Sequence, residues 1–208
     1  MKAIATTAAV IGTVGFGGAL MNAVGLQDPT PSVQASASAD VYDVDGLHSS
    51  VIFRVSYMGV SNFYGRFNEV TGTYALDYAD PSNSSIDITI PTESIDTANE
   101  GRDNHLRGAD FFSAKEFPAI RFVGTSFDGV DDDTIRVTGD LTVRGVTESV
   151  TVDIDWVGER SDPRGGYRSG IDATMVINRS DFGVNYGVDI GVLGDETAIM
   201  IGITGMKQ

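Results

Sequence analysis

From residue 41 onward the chain alternates. In SVIFRVSY, residues 50–57, Val51, Phe53, Val55 and Tyr57 share one face, and Ser50, Arg54 and Ser56 hold the other with Ile52. TYALDY, residues 73–78, sets Tyr74, Leu76 and Tyr78 against Thr73, Ala75 and Asp77, and SIDITI, residues 85–90, sets three isoleucines against Asp87 and Thr89. The longest run, IRVTGDLTVR, alternates Ile135, Val137, Gly139, Leu141 and Val143 with Arg136, Thr138, Asp140, Thr142 and Arg144. SVTVDIDW, residues 149–156, places Val150, Val152, Ile154 and Trp156 on one face, and IRFVGTSF, GIDATMVI and TAIMIGIT repeat the pattern more weakly. A period of two marks strands with one dry and one wet face. About eight such strands are predicted, broken by Gly, Asp, Asn and Ser turns, so neighbours are expected to run antiparallel.

Eight strands suit either a two-sheet sandwich or a closed up-and-down barrel. The interval 92–117 alone carries no strand pattern. Within it NEGRDNHLRG has the makings of two helical turns, with Asn99 as the cap. One β-domain over residues 40–208 is therefore expected, with a short helical insertion between its third and fourth strands. A barrel of this size either fills its interior with side chains or holds one elongated small ligand. Gly124, Gly139, Ala173 and Gly205 fall on the inward register, which leaves unfilled volume lined by Phe53, Phe122, Leu141, Trp156 and Met175. The same glycines can equally mark sharp coiling with no space left over. Periodicity leaves both readings open.

The first forty residues are different material. Lys2 precedes AIATTAAVIGTVGFGGALMNAVGL, apolar and uncharged up to Asp28, and DPTPSVQASASAD follows as a spacer. A basic start and an apolar run describe a signal peptide, with Ala37-Ser38-Ala39 as the cleavage site before Asp40. An uncleaved N-terminal anchor is the alternative, and would be the protein's one route to a membrane. Residues 1–39 are thus expected to be signal peptide or anchor plus spacer, and the domain to be periplasmic or secreted.

With 41% hydrophobic residues the chain should fold. Its 14 basic against 29 acidic residues give a formal charge of -15, a field that repels nucleic acid and anionic lipid surfaces. There is no cysteine, which excludes disulfides, thiolate metal sites and thiol catalysis. Asp103 and His105 are close in sequence and Ser49 follows His48, yet no strand-turn-helix elbow surrounds a serine, so no catalytic residue is assigned. Two histidines 57 positions apart give no metal-ligand spacing, and the acidic turn DGVDDD is expected to be solvated. The better account of EGRDNHLRGADFF, residues 100–112, is mechanical: its charged groups pin the helix to strand ends, and Leu106, Phe111 and Phe112 turn inward over the barrel mouth. A helix that simply plugs the barrel as core is the competing account.

Six motifs in order, YDVDGLHSSVIFRV, GRF, SIDT, RDNHLRGADFFSAKEFP, GDLTVRGVT and RSDFG, resemble the YceI-like family of secreted polyisoprenoid-binding proteins. The resemblance runs from about Val41 to the end. It implies an all-β fold, an extended lipocalin-like eight-stranded antiparallel barrel. It also implies a long apolar guest, a polyisoprenoid, a quinone tail or a fatty-acid-like lipid, and no obligatory cofactor. Where the family often has histidine after the first strand's apolar positions, this chain has Tyr57, whose ring and hydroxyl preserve a lining role. The candidate ligand-binding residues are Phe53, Val55, Tyr57, Leu76, Ile88, Phe122, Val137, Leu141, Ile154, Trp156, Met175 and Ile201 on the strands, with Leu106, Phe111 and Phe112 from the insertion. The expected function is an extracytoplasmic carrier of one long-chain apolar molecule, not an enzyme. The alternative is a non-enzymatic stress-response or protein-interaction module with a packed barrel. A homodimer is compatible with the sequence and not determined by it.

Overall fold

The computed structural model describes residues 39–208; residues 1–38, most of the expected signal and spacer, lie outside the described residues. Its strands are β1 Tyr42–Val44, β2 Ser50–Tyr57, β3 Ser61–Phe67, β4 Thr71–Ala75, β5 Ser85–Pro91, β6 Ile95–Asp96, β7 Ala119–Gly129, β8 Thr134–Val143, β9 Val146–Ser161, β10 Tyr167–Asn178 and β11 Leu193–Lys207. The helix α1 spans Glu100–Arg107. The eleven segments form eight staves. β1 with β2 makes the first and β3 with β4 the second, because β2 pairs β3 while β1 pairs β4. β5 and β6 make the third, pairing β4 and β3 in turn.

Closure falls to β11. One of its edges pairs β10 from Arg168↔Met206 to Asn178↔Glu196. The other pairs β2 over Leu193–Gly202 and β1 over Gly205–Lys207. Every neighbouring pair is antiparallel, so the ring is a closed barrel and not a two-sheet sandwich. α1 enters between the third and fourth staves. The β2–β3 turn, residues 92–118, the β8–β9 turn and residues 179–192 gather at one end, called the upper end below.

Local alternation explains the walls. β8 and β9 pair Arg136↔Asp153, Thr138↔Thr151 and Thr142↔Thr147 on the outside, and Ile135↔Ile154 and Val137↔Val152 on the inside. The outer pairs bond side chain to side chain: Arg136 grips both carboxylate oxygens of Asp153 at 2.7 and 2.8 Å, and the two threonine pairs meet at 3.0 and 2.8 Å. Sequence periodicity missed β3. Its inward position Gly65 carries no side chain, because the Phe53 ring of β2 lies where a Cβ would project, within 2.2 Å.

That device recurs at the lower end. A Cβ on Gly139 would meet the Phe122 ring and the Val123 carbonyl oxygen at 2.6 Å; one on Gly124 would meet Phe127 at 2.5 Å, and one on Gly205 Tyr74 at 2.6 Å. These glycines leave space, as expected, but neighbouring aromatic rings fill it. Tyr42 and Tyr74 stack at 5.4 Å, and the Tyr74 hydroxyl donates to the Ser169 carbonyl at 3.0 Å. Ile135 and Val137 are wholly buried beside them. The lower third of the barrel is therefore a solid floor.

Gly139→Ala is expected to overpack the Phe122 contact and lower unfolding stability by about 1–3 kcal/mol. Urea denaturation measures it; an unchanged midpoint would contradict the close approach.

Candidate functional site

Above the floor the barrel is hollow. A cavity of about 430 Å³ is enclosed by side chains from β2, β3, β5, β7, β8, β9, β10 and β11, and roofed by α1 and residues 111–112 and 182–193. Inward residues at mid-height, such as Phe53, Phe122, Ala173, Met175 and Ile201, are only partly buried although they face the axis, whereas Ile135 and Val137 on the floor have no exposure. Free space beside them is the cause. Its size lies within the range of about 300–1,000 Å³ usual for small-molecule sites.

Twelve of the fifteen candidate residues line this space. Phe53, Val55 and Tyr57 come from β2, Ile88 from β5, Phe122 from β7, Leu141 from β8, Ile154 from β9, Met175 from β10 and Ile201 from β11. Leu106, Phe111 and Phe112 cover it from above. Three do not. Val137 is part of the floor, Leu76 packs on the core below the cavity, and Trp156 sits against Tyr78 at 6.3 Å and remains 38% exposed. All three have the right parity; their height along the barrel puts them beneath the hollow. The reading also missed Phe63, Ile171, Phe182 and Tyr186 among the lining residues. Ile171 shares a strand face with Met175 and was available to periodicity; Phe182 and Tyr186 lie in an irregular segment and were not.

The roof is held by charged side chains that grip backbone. The Asn99 side chain caps α1 by accepting from the Arg102 amide at 2.9 Å. Buried Asp103 accepts the Thr97 amide at 2.9 Å and the Thr97 hydroxyl, and Arg102 donates to the same Thr97 hydroxyl at 2.8 Å while lying 4.3 Å over the Phe63 ring. Arg107 donates to the Glu93 and Ile95 carbonyls at 2.9 and 2.7 Å. His105 lies 2.8 Å from the Asp110 carboxylate, with its ring edge-on to Phe111 and Tyr186 at 5.1 and 5.0 Å.

Across the mouth, residues 179–193 are stapled from within. Buried Arg179 donates to the carbonyls of Gly194, Val184 and Tyr186 at 2.9, 2.8 and 2.9 Å. Burial pushes its guanidinium below the ordinary arginine value, and the nearby Asp195 carboxylate opposes that shift. Arg144, expected to face solvent, instead donates to the Gly183 carbonyl and, at 2.8 Å, to that of Ala109. It sits at φ 50° beside Gly145 at φ 76°, a turn that aims the guanidinium back over the barrel end and ties the two roof segments together.

The imagined catalytic set does not assemble. His48 pairs with Asp45 and Ser49 with the Asp45 and Thr204 carbonyls, while Asp103 and His105 are committed to Thr97 and Asp110. Among the described residues, no three His, Asp or Glu side chains cluster as metal ligands.

A family model for the YceI-like domain matches residues 42–204. Protein YceI of Escherichia coli is 38% identical over 175 residues, covering 83% of this chain and 90% of that one. Among solved structures, Burkholderia cenocepacia BcnA aligns with a TM-score of 0.71 at 26% identity, over 78% of this chain and 99% of that one. A polyisoprenoid binding domain from Saccharophagus degradans shares the fold at a TM-score of 0.61 and 14% identity, over 80% and 98% of the two chains.

Arg179→Lys should cost about 2–4 kcal/mol, since one ammonium cannot replace a fork serving three carbonyls. Hydrogen exchange should accelerate first in residues 184–194. Uniform protection there would refute the staple.

Proposed function

The chain belongs to the YceI-like family, and on that premise we propose that it binds and carries one long-chain apolar molecule, of the polyisoprenoid or fatty-acid-like class, inside the barrel. The observation that carries the reading is the 430 Å³ hollow, whose walls are almost wholly hydrocarbon and aromatic. The polyisoprenoid binding domain of S. degradans, built on the same fold, supports the class of guest. A linear guest fits best because the strand segment Ile171–Ile177 that lines one wall runs roughly 20 Å. Transfer of hydrocarbon from water drives binding, at about 0.8 kcal/mol per methylene. No charged anchor is needed. A polar end would lie toward the roof, where Arg102 and His105 reach the lining. Both are already engaged, Arg102 with Thr97 and the Phe63 ring and His105 with Asp110, Phe111 and Tyr186, which supports binding without turnover.

A location outside the cytoplasm follows from the basic, apolar N-terminus and its Ala37-Ser38-Ala39 site. Intact mass of protein recovered from its host should correspond to a chain starting at Asp40. A chain still carrying residue 1 would instead favour the anchor.

Native mass spectrometry of the same material should show a co-purified lipid. In a series of added isoprenols, affinity should rise about fourfold per methylene and then level off as the hollow fills. Ala173→Phe, which fills the cavity from β10, should abolish binding of the longer members without loss of folded stability. Length-independent affinity, or full binding by the filled variant, would end the carrier reading.

A further inference from the structure

The upper end carries a second feature that the cavity does not explain. Two tips flank the mouth, and both expose large apolar side chains. The β2–β3 turn presents Met58 at 56% and Val60 at 80% exposure, and the segment 184–192 presents Ile190 at 77%. The tips are joined, since the Met58 amide donates to the Val192 carbonyl at 2.8 Å and Leu193 pairs with Tyr57. Tyr57 and Leu193 line the cavity, so the exposed patch is continuous with the mouth.

Folding does not account for Met58. The turn places Met58 at φ 53° and Gly59 at φ 68°, closed by the Val60 amide on the Tyr57 carbonyl at 3.1 Å. Asn or Asp is favoured at the first of these left-handed positions, and a methionine there is strained and gains no burial. The equivalent turn at Arg144 has its explanation in the carbonyls that Arg144 binds. At Met58 the explanation has to come from outside the barrel.

Charge narrows what the occupant is. In a chain of net charge -15, no charged residue lies between Arg54 and Arg66, and Asp189 alone lies between Asp181 and Asp195. The exposed Glu100, Asp110 and Glu116 on the α1 side of the same end stay in water, so it is the side of the rim built by the two tips that is poor in charge. The walls, by contrast, carry ion pairs such as Arg136–Asp153 and Arg121–Asp87, so the barrel cannot sink into hydrocarbon sideways. We propose that the mouth rim docks end-on to a lipid bilayer of uncharged surface, with Met58, Val60 and Ile190 entering the headgroup boundary. An apolar guest would then pass between bilayer and barrel without crossing water. The docking rests on the carrier reading only for what passes through the mouth.

Flotation tests it, using the chain from Asp40, which holds every strand of the closed ring and lacks the apolar residues 1–39 that would bind vesicles themselves. The chain should float with phosphatidylcholine vesicles, and less with about one third phosphatidylglycerol, as its acidic body is repelled. The combined change Met58→Asp, Val60→Asp and Ile190→Asp should reduce flotation at least tenfold. Leu47→Asp, altering a 93% exposed leucine of the β1–β2 connection beside Thr204, should leave it unchanged. Failure to float, equal loss with Leu47→Asp, or a triple variant that changes only self-association in sedimentation would overturn the proposal. Farnesol uptake is measured apart, without vesicles. A barrel that floats yet takes up no farnesol supports docking and sinks the carrier reading; uptake without flotation does the reverse.

Discussion

Hydrogen bonding along both edges of β11 is the constraint on which the rest depends. Because β11 is long enough to pair β10 on one side and both β1 and β2 on the other, the ring closes. Closure fixes the circumference, and with it the internal volume, before any core side chain is chosen. Alternation then sends every second residue of eight staves to the same axis. What those residues fail to fill stays empty. The outer face has no comparable conflict, and its ladder of Arg–Asp and Thr–Thr pairs follows directly from register.

The interior is divided by where aromatic rings find glycine. At the lower end Phe127 and Tyr74 lie over Gly124 and Gly205, and with Ile135 and Val137 they make a floor without space, while the Phe122 ring over Gly139 borders the hollow above it. Higher up, Ala173 is small and lines the hollow. A small inward residue therefore has opposite consequences at two heights. A packed lower third supplies rigidity, and a hollow above it can stay open without the barrel collapsing.

The roof is built on different principles from the wall. It is irregular backbone, and its carbonyls need donors that no sheet supplies. Arg107, Arg144 and Arg179 meet that need, each serving two or more carbonyls, so these basic residues are structural clamps. Between them His105 meets Phe111 and Tyr186 edge to face, and the Phe111 and Tyr186 rings lie tilted against each other. Arg144 spans the same seam, donating to Gly183 on one segment and Ala109 on the other, so ring contacts and one clamp together hold the roof shut.

Strand identity was legible from residues 135–144 and 149–156 because a period of two is a local property, and α1 was legible from Asn99 and the charge pattern that follows it. β3 escaped because Gly65 cedes its volume to Phe53, a ring twelve positions earlier that reaches it only after folding. The inward parity of the twelve strand candidates was likewise written in the chain. Whether parity meant floor or hollow was not, and Leu76, Val137 and Trp156 fell on the wrong side of that boundary. The amino-acid order by itself determined which side chains face the axis, since alternation needs only neighbours. The tertiary structure alone decided which of them face empty space, and which carbonyls Arg144 and Arg179 hold. Both depend on the height at which distant strands meet, a quantity set by closure of the whole ring.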